Sequence, residues 1–246
     1  MELYVLNDEE EICKRASEII FGDIRRNPRI ILGFATGSTM IPLYKRLVEI
    51  SKKENISFSE VHTFNLDEYV GISANNKNSY RFYMEKNFFR KVHIPKENIH
   101  FLNGEAKSLI NECSRYEKEI KKLGGIDIQI LGIGTNCHIG FNEPGSSFKS
   151  RTRKVKLSRE TRKANSKFFS SFNKVPKYAL TMGISTIMNS KKIILLAFGK
   201  DKSEAVKKTL TEEISEKFPS TILRRHKNSI VIVDRNAASK LKWKIK

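Results

Sequence analysis

At 246 residues with a formal charge of +19, the chain is long enough to bury a sizeable core, and its scattered prolines and glycines suggest one domain over residues 1–246. The charge would suit nucleic acid, yet the lysines fall as dispersed pairs such as Lys52-Lys53, Lys121-Lys122 and Lys207-Lys208. No RNP-like, zinc-finger or helix-turn-helix signature accompanies them, so no nucleic-acid partner is expected.

Asp8 is placed to cap a helix in which Ile12, Ala16, Ile19 and Ile20 recur at helical spacing, with Glu11 completing a capping-box-like pattern and Asn27-Pro28 ending it. Arg29 to Ala35 is a β-branched apolar run suited to a buried parallel strand. Thr36, Gly37, Ser38 and Thr39 then lead to a helix marked by Leu43, Tyr44, Leu47 and Val48. Such a loop leaves N–H groups free beside the positive end of a helix and makes an anion cradle, although the same turn is more often a plain strand-helix connection. It lacks the lysine of GxxxxGK[ST], which argues against nucleotide hydrolysis. Val61 to Asp67 is a second strand, running into Glu68 and Tyr69. A carboxylate such as Asp67 at a strand end can serve as a general base when desolvated, or merely cap a helix or face solvent. Asn78 to Phe89 predicts a helix with a core-facing aromatic stripe, and Ser108 to Leu123 a further amphipathic helix.

Ile126 to Ile133 reads as a buried strand that breaks at Gly132 and Gly134 and delivers Asn136, His138, Asn142 and Glu143 in quick succession. Ligands of open α/β sheets lie outside the carboxyl ends of strands, where these polar residues fall. A His and a Glu can divide acid and base roles near neutral pH. The same spacing arises more often from a hydrogen-bonded core histidine and a surface glutamate. Neither HExxH nor CxxC occurs, so no metal and no cofactor are expected. The three cysteines, Cys13, Cys113 and Cys137, are too dispersed for a disulfide framework. With no signal peptide and no apolar stretch of membrane-span length, the expectation is a cytoplasmic protein without a membrane partner.

Beyond this stretch, Arg159 to Phe169 is helix-like and contains Arg162, and Lys191 to Gly199 is another buried strand. Lys202 stands at the start of a helix through Leu210, where a cation opposes the helix dipole and an anion would relieve it. Ser229 to Asp234 is the last strand, followed by a short helix and a basic tail. The alternation of strands and helices implies an α/β fold, a doubly wound, mostly parallel sheet with helices on both faces, Rossmann-like in arrangement. Pattern alone leads to an α/β enzyme with an anion site.

The motifs LGFATGST, NLDEYVG, NSYRFYMEKNFF, GIGTNCHIGFNEPGSSFKSRT, ETRKANSKFF and VPKYALTMGISTIM, in this order over nearly the whole chain, resemble those of the glucosamine-6-phosphate deaminases. The resemblance implies conversion of glucosamine 6-phosphate and water to fructose 6-phosphate and ammonia. It implies that Asp67 moves the proton between carbon 2 and carbon 1, and that His138 assists ring opening with support from Glu143 and Asn136. It assigns the substrate phosphate to Gly37, Ser38, Thr39, Arg162 and Lys202. Some members carry Asp where this chain has Asn136, so His138 is expected to lack a second carboxylate partner. In regulated hexameric members a basic pair follows the SRT segment; here Arg153 is present but Val155 takes the second position, and the chain ends at Lys246. An unregulated monomer or low-order homo-oligomer is therefore expected. The alternatives are a 6-phosphogluconolactonase-like hydrolase of the same fold, or a non-catalytic binder of sugar phosphates or nucleic acid.

Overall fold

The computed structural model describes residues 1–241. Its framework is a seven-stranded sheet in the order β1-β10-β9-β6-β2-β3-β5, with every pairing parallel. These strands are β1 (Glu2–Leu6), β2 (Ile31–Phe34), β3 (His62–Asn65), β5 (Ile99–His100), β6 (Ile128–Leu131), β9 (Lys192–Ala197) and β10 (Ser229–Asp234), while β4 (Asp67–Tyr69), β7 (Arg153–Lys156) and β8 (Tyr178–Thr181) form a separate antiparallel sheet in the order β4-β8-β7. The helices are α1 (Glu9–Arg26), α2 (Met40–Lys53), α3 (Tyr80–Met84), α4 (Arg90–Val92), α5 (Leu109–Lys122), α6 (Arg159–Asn165), α7 (Ile184–Met188) and α8 (Ser203–Thr211).

Strands β2, β6 and β10 are buried at every position, as a parallel sheet covered on both faces requires. Ring packing locates the two covers. Phe34 lies in register with Asn65, one position along from Phe64, so the two phenylalanines point to opposite faces. Phe34 meets Tyr44 of α2 at 5.5 Å between ring centroids, and Phe64 meets Tyr116 of α5 at 5.4 Å.

From β2 the chain moves through α2 to β3 and outward to β5; α5 then carries it back to β6, on the other side of β2, and onward to β9 and β10. The connections leaving β2 and β6 thus diverge, which opens a crevice beyond their carboxyl ends.

Helix α1 begins as its sequence indicates, with the Asp8 side chain accepting the Glu11 N–H at 2.9 Å. The Glu11 carboxylate turns one residue further back than a capping box requires, accepting the N–H of Asn7 at 2.9 Å. The aromatic helix after Ser79 is not regular: α3 passes through a wide π-type turn, Glu85–Phe89, into α4. The additional residue lets the adjacent side chains Phe88 and Phe89 both enter the core. Helix α6 likewise stops at Asn165, and Ser166–Phe168 follows as a tight turn.

Two expectations need correction. The strand anticipated over Val61 to Asp67 is two strands, because the chain leaves the large sheet after Asn65, crosses at Leu66 and enters the small sheet at Asp67. Leu66 is pinned at the crossing: its N–H donates to the Phe34 carbonyl at 2.9 Å and its carbonyl accepts from Met182 N–H at 2.7 Å. The segment after Asp234 is a series of turns over residues 235–240 rather than a helix. The end of the basic tail lies outside the described residues.

Candidate active site

The crevice between β2 and β6 is a cavity of about 380 Å³, a size suited to a small metabolite. Gly37, Ser38 and Thr39 reach it from the end of β2, Asp67 from the start of β4, Asn136 and His138 from the turn after β6, and Lys202 from the turn before α8. Residues distant in sequence are collected by the strand ends alone.

The turn after β6 is built around the imidazole of His138. A Cβ on Gly134 would lie 2.2 Å from His138 Cε1, so only glycine lets the ring fold back over its own turn. Asn136 orients that ring. Its Nδ2 donates to Glu143 Oε2 at 2.8 Å, and its Oδ1 accepts from the backbone N–H of His138 at 3.2 Å and from Nδ1 at 2.7 Å. A carboxylate only accepts and a backbone N–H only donates, so both ends of the amide are fixed by their partners. Nδ1 therefore carries the proton, and Nε2 retains a lone pair. Burial holds the His138 pKa below its ordinary value, Glu143 opposes that, and Lys202 reinforces it.

Glu143 stands behind this pair, its Oε2 at 3.7 Å from His138 Nδ1. Its other oxygen accepts from Ser158 Oγ at 3.2 Å and from the Thr161 hydroxyl. Ser158 also caps α6, so the carboxylate ties the His138 turn to that helix. Glu143 faces a second cavity, shared with Lys156, Arg159 and Arg162, rather than the wall of the first.

Asp67 is only 6% exposed. Burial, and then the neighbouring Glu68 carboxylate, push its pKa up to about 8. Tyr80, from the start of α3, lines the cavity beside it.

The same cavity also gathers groups suited to an anion, alongside the carboxylate of Glu160. Gly37 has φ +110°, a conformation that favours glycine, and its carbonyl accepts the Tyr83 hydroxyl at 2.7 Å. Among the described residues, the N–H groups of Gly37, Ser38 and Thr39 have no backbone acceptor outside helices and strands. Lys202 and Lys167 both line this cavity.

Arg162, expected at the phosphate, does not line this cavity. Its guanidinium donates to the carbonyls of Phe172 at 3.3 Å and Val175 at 3.0 Å and lies 4.4 Å from the centre of the Phe172 ring. Lys167, five residues further on, lines the cavity instead. Positions five apart on a helix differ by about 140°, so one helical segment could not aim both cations at one ligand, and that spacing was the available signal. Tyr80, Ser158 and Thr161 carried no signal beyond ordinary core and capping patterns. Among the described residues, no group of three or more His, Cys, Asp or Glu side chains is arranged to hold a metal ion.

Residues 8–232 match the family described as glucosamine-6-phosphate isomerases/6-phosphogluconolactonase. The chain belongs to this family. Within it, the chain is 51% identical over 239 residues to the glucosamine-6-phosphate deaminase of Shouchella clausii, covering 97% of each chain. It is 49% identical over 244 residues to that of Clostridium botulinum strain Langeland, covering 99% of this chain and 100% of the relative. Among solved structures, a monomeric glucosamine-6-phosphate deaminase superposes with a TM-score of 0.95 at 47% identity, covering 97% of this chain and 99% of the other. The 6-phosphogluconolactonase of Trypanosoma brucei, with a TM-score of 0.78 at 18% identity and 98% coverage of this chain, shares the family's fold. The parallel sheet is thus a family property, and the turn carrying His138 sits within the segment that the family match spans.

Proposed function

We propose that this chain is a glucosamine-6-phosphate deaminase, converting glucosamine 6-phosphate and water to fructose 6-phosphate and ammonia in amino-sugar catabolism. The observation that carries the reading is that one cavity joins a strand-helix loop and two lysines to two separate proton-transfer groups, the buried carboxylate of Asp67 and the oriented imidazole of His138. A sugar phosphate that must first open its ring and then exchange a proton between adjacent carbons needs both.

The substrate phosphate sits on the loop of Gly37, Ser38 and Thr39, with Lys202 and Lys167 neutralising it. His138 Nε2 shuttles the proton between the anomeric hydroxyl and the ring oxygen, Asn136 and Glu143 holding the imidazole in place. Asp67 removes the proton from carbon 2 of the open chain and returns it to carbon 1, a transfer that one carboxylate accomplishes while the substrate stays fixed at its phosphate. Water then adds at carbon 2 and ammonia departs.

A buried base of raised pKa suits removal of a weakly acidic carbon-bound proton better than an exposed aspartate would. The lactonase alternative has fold likeness behind it, whereas high identity over nearly full length lies with deaminases. Arg153, the one basic residue kept of the pair expected to hold an effector, donates to the buried Asn142 at 2.8 Å, which supports an enzyme that lacks that control. The whole chain acts as one unit, a monomer or small homo-oligomer of the cytoplasm, with no nucleic-acid partner. Cys13, Cys113 and Cys137 are unpaired, as in a reducing compartment, and among the described residues no helix is long and apolar enough to cross a membrane.

The test is release of ammonia and fructose 6-phosphate from glucosamine 6-phosphate by the wild type and Asp67→Asn. Wild type turns over, and the variant loses at least roughly 100-fold in kcat, the lower range for a general acid-base group. A well-folded wild type that leaves glucosamine 6-phosphate untouched would refute the assignment.

A further inference from the structure

Glu68 takes no part in the steps above, yet it is 2% exposed and lies next to the base. Adjacent residues of a strand point to opposite faces, so with Asp67 turned to the cavity, Glu68 turns away from it toward the start of α3. There its Oε1 accepts the N–H groups of Tyr69 and Tyr80, and its Oε2 that of Arg81, each at 2.9 Å. Three backbone donors on one buried carboxylate fix its position far more tightly than helix capping demands. Ser79 already caps α3 by accepting the Phe82 N–H at 2.9 Å. Tyr80, the first of the two α3 residues held by Glu68, lines the cavity and donates its hydroxyl to Tyr69 at 3.2 Å.

We infer that Glu68 is a positioning residue for proton transfer at Asp67: it locks the strand carrying the base to the helix start carrying Tyr80, and keeps a fixed negative charge behind the base. The inference rests on the deaminase reading for the identity of the step, but the coupling between the two carboxylates does not.

The surroundings leave that charge largely uncompensated. Arg81, the guanidinium on the element packed against Glu68, is engaged with Glu85 at 2.8 Å. The phenols of Tyr69 and Tyr80, Tyr44 from α2 and Tyr116 from α5 are the other titratable groups that feel Asp67, and burial raises all four pKa values, so they stay neutral. Burial raises the Glu68 pKa to about 7, against its three N–H donors and Arg81, while Glu68 contributes to raising Asp67. Two such carboxylates titrate as a pair. The one with the donors is better able to hold the charge, which leaves the cavity-facing one the stronger base.

Glu68→Gln retains the shape and an acceptor oxygen but removes the charge. In the pH profile of kcat/KM, the acid limb of this variant moves to lower pH by about one unit, and the plateau kcat falls because a weaker base remains. An activity loss with the acid limb at its wild-type position would reduce Glu68 to a structural role and overturn the inference. The reciprocal experiment requires neither turnover nor a folded Glu68 variant. Because Glu68 ionises first, Asp67 is still neutral while Glu68 titrates, so removing Asp67 deletes the upper step of the pair and leaves the Glu68 step in place. Infrared titration of the buried carboxyl groups will show two steps in wild type, and in Asp67→Asn the lower step surviving with the upper one gone; survival of the upper step instead would give the first charge to Asp67 and overturn the inference. Absence of deaminase turnover in wild type would remove the reaction and leave this titration readable.

Discussion

Asn136 supplies geometry to His138 without charge. Its Oδ1 takes the Nδ1 proton, and its Nδ2 occupies Glu143, so the imidazole has one orientation and one tautomer while the nearest carboxylate oxygen remains 3.7 Å away. Burial then depresses the His138 pKa, which favours the neutral ring that ring opening requires at physiological pH. Asn136→Asp reverses both effects. A second carboxylate at hydrogen-bonding distance stabilises the imidazolium, so the His138 pKa rises by about one unit. The oxygen that replaces Nδ2 also faces Glu143, acceptor against acceptor, so the variant melts at a lower temperature near neutral pH. An NMR titration of His138 in the two proteins checks the first statement, and a downward or absent shift would contradict it.

At the scale of elements, the segment from α6 to Val175 assigns different tasks to two cations. Arg162 anchors the segment to its own carbonyls at Phe172 and Val175, whereas Lys167 enters the cavity. Lys167→Met is expected to raise KM by roughly 10-fold, the value of one charged hydrogen bond, with the melting temperature little changed. Arg162→Met lowers the melting temperature and moves KM less; the opposite pattern would return the phosphate to Arg162. This segment also marks where sequence stops being legible. The long apolar runs around β2, β6, β9 and β10 announced the parallel sheet, because a strand covered on both faces must be apolar throughout. The small sheet gave no such signal: β7 is RKVK with alternating exposure, and β4 is three residues that read as the tail of the preceding strand. Asp67 and His138 were visible through glycine breaks and strand ends, and resemblance gave them roles. Lys167 was not: the five-residue spacing said that one helix could not aim both cations at one ligand, but only the structure, in which α6 ends at Asn165, says which of them lines the cavity.

For the molecule as a whole, the buried acids of the site make stability depend on pH. Asp67 and Glu68 have folded pKa values of about 8 and about 7, above their ordinary 3.8 and 4.5. Between those limits the unfolded chain has released protons that the folded chain still holds, so stability declines as pH rises through this window. Histidines act the other way. Burial lowers His62, and burial and then His62 lower His100 to about 4, so these rings lose stability for the fold as pH falls below 6.5. Above pH 6.5 that contribution is spent, and the acid pair acts without it. The melting temperature of the substrate-free protein should therefore fall from pH 6.5 to pH 8, and fall less steeply in Asp67→Asn, which has one acid fewer to ionise. Calorimetric scans of both proteins across this range decide it. Parallel slopes would mean that Asp67 ionises in the folded protein as readily as in the unfolded chain, and the buried base would lose its physical foundation.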